Sequence, residues 1–150
     1  MQLTNEGIEL LSWMPSLKSL YVQCPDEGSP GLKLLSQLRQ IEKLILLDEV
    51  GPDTEGIIRQ IVAMPKLKDL RLIRLFPTLK CFKVLAQSAI IEHIYIKSNE
   101  TLTLDAVRQL AEMKALTSVE YICQIEPAAL AFLQERGLIS EEAQLLPLPR

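Results

Sequence analysis

Met64-Pro65-Lys66-Leu67-Lys68-Asp69-Leu70-Arg71-Leu72 decides how this chain is read. Fifty residues earlier stands Met14-Pro15-Ser16-Leu17-Lys18-Ser19-Leu20-Tyr21-Val22, and forty-nine later Met113-Lys114-Ala115-Leu116-Thr117-Ser118-Val119-Glu120-Tyr121. Weaker copies lie between them, Ile41-Glu42-Lys43-Leu44-Ile45-Leu46 and Ile91-Glu92-His93-Ile94-Tyr95-Ile96. The first apolar residue of each copy falls at 17, 41, 67, 91 and 116, giving spacings of 24, 26, 24 and 25. Self-similarity at such a period predicts a solenoid, because one unit cannot bury its own apolar face and must lean on its neighbours.

Each unit reads as a helix followed by a short strand. Thr4, Thr54 and Thr103 stand where an N-cap is needed, and Pro77-Thr78 opens the fourth helix. The expected apolar stripes are Ile8, Leu11 and Met14; Leu32, Leu35 and Leu38; Ile57, Ile58, Ile61 and Met64; Phe82, Leu85 and Ala89; and Leu104, Val107, Leu110 and Met113. Pro127 opens a last helix over 126–137, with Leu130 and Leu133 inward and Gly137 at its end. That helix is expected to cap the array, and 138–150 to be a loose tail. The chain therefore reads as one α/β domain over 1–150, with repeats at about 4–123 and five parallel strands side by side.

Composition narrows the function. Aromatics are 5% of a chain that is 48% hydrophobic, so the core must be aliphatic. A net charge of −3 and a pI near 5.3 argue against nucleic acid and anionic membranes as general partners. No apolar run is long enough to span a bilayer. The start, Met1-Gln2-Leu3-Thr4-Asn5-Glu6, lacks the basic and apolar blocks of a signal peptide, so a cytoplasmic location is expected. Three cysteines match no metal spacing, and Cys24 and Cys123 follow strands about 19 Å apart, too far for a disulfide. Neither a metal nor another cofactor is expected.

The recurring L-x-x-L-x-L, as Leu17-Leu20-Val22, Ile41-Leu44-Leu46, Leu67-Leu70-Leu72, Ile91-Ile94-Ile96 and Leu116-Val119-Tyr121, resembles leucine-rich repeats. Units of this length with a true helix are most similar to the intracellular subclasses typified by ribonuclease inhibitor and the F-box-associated repeats. The resemblance implies a fold used mostly to bind proteins, and the expectation is a non-enzymatic protein-interaction module, as an adaptor or effector domain. It also implies Asn or Cys eight residues after the first leucine, bonded to the backbone of neighbouring loops. Here those positions hold Pro25, Glu49, Leu75, Asn99 and Gln124, so only Asn99 conforms and the loops should be less uniform.

Residues alternating with the inward leucines must face outward. They form three rows: Ser19, Lys43, Asp69, His93 and Ser118; Tyr21, Ile45, Arg71, Tyr95 and Glu120; and Gln23, Leu47, Ile73, Lys97 and Ile122. Tyrosine and arginine are enriched at binding hot spots, which makes this face the expected partner surface. β-branched and aromatic residues also suit exposed strands for their own sake. Asp69, His93 and Ser118 stand in acid-base-nucleophile order on neighbouring strands, but no G-x-S-x-G elbow or oxyanion loop surrounds Ser118. Between Pro65 and Ile91, Lys66, Lys68, Arg71, Arg74, Lys80 and Lys83 oppose Asp69 alone, a net +5 that could attract phosphate or an acidic ligand.

Overall fold

A computed structural model describes residues 3–23, 30–47, 54–75 and 77–139. The chain alternates helices and strands: α1 (Asn5–Ser12), β1 (Ser19–Gln23), a 3₁₀ helix (Pro30–Gln37), β2 (Lys43–Leu47), α2 (Thr54–Val62), β3 (Asp69–Ile73), α3 (Leu79–Leu85), β4 (His93–Leu102), α4 (Leu104–Leu110), β5 (Ser118–Ile125) and α5 (Pro127–Glu135). The strands make one parallel sheet in chain order, and each helix packs against the next.

The register follows the repeat. Leu20, Leu44, Leu70, Ile94 and Val119 are partners across the sheet, as are Val22, Leu46, Leu72, Ile96 and Tyr121. Most of these side chains join the helix stripes in a single core, where Leu44, Leu46, Leu70, Leu72 and Ile96 are fully buried. One backbone device recurs before every strand after the first. Two successive N–H groups donate to a single carbonyl of the preceding unit: Glu42 and Lys43 to Lys18, Lys68 and Asp69 to Glu42, Glu92 and His93 to Lys68, and Thr117 and Ser118 to Glu92. The side chains of this row alternate in sign, and Lys18–Glu42 (3.9 Å) and Lys68–Glu92 (3.8 Å) pair across it.

The helix ends are fixed by side chains. Thr4, Thr78 and Thr103 accept from the N–H groups of Gly7 (3.0 Å), Cys81 (3.4 Å) and Ala106 (3.2 Å). Thr54 instead lies inside α2, so that helix starts no later than Thr54 and its cap falls outside the described residues. Leu32, Leu35 and Leu38 are all buried, but Leu32 and Leu35 lie on a 3₁₀ helix rather than an α-helix and Leu38 just past it, for a spacing of three lines up at 3.0 residues per turn. α3 is shorter than its apolar pattern suggests. Ser88 is buried and its Oγ accepts from the N–H groups of Ile90 and Ile91, which turns the chain and leaves Ala89 exposed outside the stripe. Met14 is exposed too, just past α1 at the β1 edge of the sheet.

Two more expectations need correction. The chain after Gly137 is not loose at once: Leu138 is buried, its carbonyl accepts from Val119 N–H at 2.7 Å, and Ile139 packs on the core. Among the described residues no bond joins Asn99 to a neighbouring loop; it sits exposed in β4, which runs on to Leu102 through an irregularity between Lys97 and Thr101. Leu75, at the equivalent position of the third unit, is buried, while Pro25 and Glu49 lie outside the described residues. Cys81 and Cys123 are buried free thiols, and Cys24 lies outside the described residues.

Candidate functional site

The three outward rows exist as register lines on the face of the sheet away from the core. Ser19, Lys43, Asp69, His93 and Ser118 are successive partners, then Tyr21, Ile45, Arg71, Tyr95 and Glu120, then Gln23, Leu47, Ile73, Lys97 and Ile122. None of these fifteen side chains is buried, although β2 and β3 keep theirs half-covered. Tyr21 is 57% exposed on the edge strand.

Side-chain contacts concentrate at the centre. Asp69 accepts from Arg71 Nε (3.3 Å) and Nη2 (3.4 Å), and Lys43 Nζ approaches it at 3.9 Å from the next strand. Held there, the Arg71 guanidinium lies 5.6 Å from the centre of the Tyr95 ring, within cation–π range. The result is a preorganised cluster, Lys43–Asp69–Arg71–Tyr95, crossing three strands. Beside it a depression of about 230 Å³ is lined by Asp69, Arg71, His93, Tyr95, Ser118 and Glu120.

His93 Nδ1 lies 2.6 Å from Ser118 Oγ, and Thr117 Oγ1, which donates to the Glu92 carbonyl, comes within 3.5 Å of the same nitrogen. The acid limb of a triad is missing from this geometry. Asp69 spends its oxygens on Arg71 and Lys43, and among the described residues no bond joins it to His93. The basic run is likewise divided. Lys68 faces Glu92, Arg71 faces Asp69, and Lys80 reaches back to Glu55 on α2 at 2.8 Å. Its cations therefore point to the sheet face, the strand edge and the helical layer, and do not form one patch.

A second concavity, which the repeat pattern does not reveal, opens at the C-terminal ends of β3–β5. It encloses about 900 Å³ between the start of α3, the far part of β4 and the end of β5. Arg74, Leu79, Lys97, Asn99, Ile122 and Cys123 are among its walls. Arg74 takes a left-handed backbone (φ 58°) and donates its N–H to the Lys97 carbonyl at 2.7 Å. Burial pushes the Cys123 thiol up to about 11, against a bond with the Leu102 backbone that lowers it, so at neutral pH it is no nucleophile. Tyr121 is raised by its own burial and by the neighbouring Cys123.

Among the described residues, no group of three or more His, Cys, Asp and Glu side chains could hold a metal, and no helix is long and apolar enough to cross a membrane. Comparison of the chain with protein-family models, curated proteins and solved structures finds no match.

Proposed function

We propose that the chain is a leucine-rich-repeat-type solenoid that binds a partner protein across the open face of its sheet, without catalysis, in the cytosol. The observation that carries this reading is the central cluster, in which Asp69 and Lys43 fix Arg71 against Tyr95. A side chain already held in place loses less freedom on binding, which is how a hot spot gains affinity. Tyr21 and Ile122 extend the same face with exposed apolar area. Free thiols at Cys81 and Cys123 accord with a reducing compartment.

The test is a pull-down from native cytosol with the unaltered chain and with the Arg71→Ala/Tyr95→Ala variant, followed by affinity measurement on the purified partner. The double variant is expected to lose at least about tenfold in affinity, since hot-spot truncations exceed roughly 1.4 kcal/mol. An unchanged affinity would reject the face as the interface.

The short His93–Ser118 contact favours a hydrolytic alternative, but that reading needs a carboxylate on His93, and Asp69 is held by Arg71. Ser118 is accordingly expected to stay unlabelled by a fluorophosphonate probe. Labelling that is lost on Ser118→Ala would establish a nucleophile instead.

A further inference from the structure

The cavity at the C-terminal ends of β3–β5 is continuous with the partner face, because Lys97 and Ile122 belong both to its walls and to the third outward row. Its size lies within the range of about 300–1,000 Å³ typical of pockets that take a ligand. Two large aliphatic side chains stay open to solvent at its rim, Leu79 at 42% and Ile122 at 38%, with Phe82 buried behind them.

The polar walls are mostly committed. Thr78 and Thr103 cap α3 and α4, Ser98 Oγ accepts from Glu100 N–H, and Gln124 accepts from Thr101. Among the described residues, that leaves the Lys97 ammonium and the Asn99 amide without a side-chain partner, both exposed on β4. Arg74 adds a second positive charge to the walls, and Glu100 is the one carboxylate among them. An apolar floor beside the Lys97 ammonium and a free amide donor is complementary to an apolar group next to a carboxylate.

We infer that this cavity is the anchoring subsite for a peptide segment of the partner in which a large apolar side chain stands next to an acidic one. The inference rests on the partner-binding reading above and adds where the partner is gripped and by what chemistry. The apolar side chain enters between Leu79, Phe82 and Ile122, and the carboxylate meets Lys97 and Asn99 at the mouth. Asn99 thereby acquires a use that its place in the repeat does not give it.

The probe is a capped phenylalanyl-aspartate dipeptide, titrated into the whole chain and followed by amide NMR shifts, beside its phenylalanyl-asparagine isostere. Saturable shifts are expected at Asn99, Ala106 and Ile122. The aspartate form should bind about two- to fivefold tighter, the range an exposed ion pair supplies. Lys97→Glu should abolish that preference while leaving the remaining spectrum in place, since Lys97 is exposed and its removal disturbs no core contact. Shifts that do not saturate, equal binding of the two dipeptides, or an unchanged preference in Lys97→Glu would each overturn the inference. Its failure is separable from failure of the binding face. Arg71→Ala/Tyr95→Ala leaves the cavity walls intact, so dipeptide binding survives in that variant whether or not the partner is captured.

Discussion

At Gly31 the backbone N–H donates to the Leu3 carbonyl at 2.7 Å, which brings the first turn of the 3₁₀ helix against the chain entering α1. A Cβ there would stand 2.6 Å from the Leu3 oxygen and 2.7 Å from the Thr4 oxygen, both backbone atoms that cannot rotate away. Space, not backbone angle, therefore demands glycine. Gly31→Ala should separate the two segments and lower the unfolding free energy by about 1–3 kcal/mol, the usual range for overpacking. Urea denaturation measures it, and a change below about 0.5 kcal/mol would mean that the contact is slack. Gly137, by contrast, is needed for its left-handed conformation (φ 67°), with nothing near its missing Cβ.

Between elements, polar side chains fasten the helices from α1 to α3 to one another. Gln40 donates to the carbonyls of Leu11 in the last turn of α1 and Met14 just past it, and Gln60 of α2 accepts from both the N–H and Oγ of Ser36. Glu55 links α2 to α3: one oxygen meets Arg59 at 2.7 Å and the other Lys80 at 2.8 Å. The Lys80 bond first, and the Arg59 bond second, hold its carboxyl below its ordinary value of 4.5. A depressed carboxylate stabilises the fold above the unfolded pKa and loses that contribution as pH falls through the folded one. Lys80→Met should thus lower the thermal midpoint at neutral pH, and the two melting curves should converge as the solution is acidified below 4.5. A gap that persists in acid would show that the lysine acts through packing of its stem. The elements differ in how far they could be read in advance. The period near 25 places the strand residues inside the repeat on their faces, because a one-residue slip would reverse the whole row. Where α3 stops could not be read that way, since Ser88 ends it through bonds to Ile90 and Ile91 that an apolar pattern does not encode. The length of β4 was equally hidden: Ser98-Asn99-Glu100 lacks strand formers, and pairing of Thr101 and Leu102 with Gln124 and Ile125 extends the strand. The cavity depends on that extension, so its walls come from three segments whose meeting no single stretch announces. The contacts of Asp69 were hidden for a related reason, as row order gives adjacency but not which neighbour the carboxylate chooses.

Across the whole molecule the two ends of the sheet are treated differently. At the β5 end, α5 buries Ala129 and Leu133 completely, and Val119 N–H is satisfied by the Leu138 carbonyl. At the β1 end, Leu10, Trp13 and Met14 remain exposed, Trp13 by 68%. In a chain of neighbouring units, stability is a sum of unit and interface contributions, so a residue matters in proportion to the interface it closes. Leu133→Ala opens a cavity beneath the cap and should cost about 2–5 kcal/mol in urea unfolding. Trp13→Ala, although it removes a larger side chain, should change stability by about 0.5 kcal/mol or less, because little of that ring is taken out of water. Circular dichroism is the right probe for both, since the chain's one tryptophan is already largely in solvent when folded. If the order were reversed, with Trp13 the costly site, the β1 end would be a closed face in solution and α5 an ornament on a sheet complete without it.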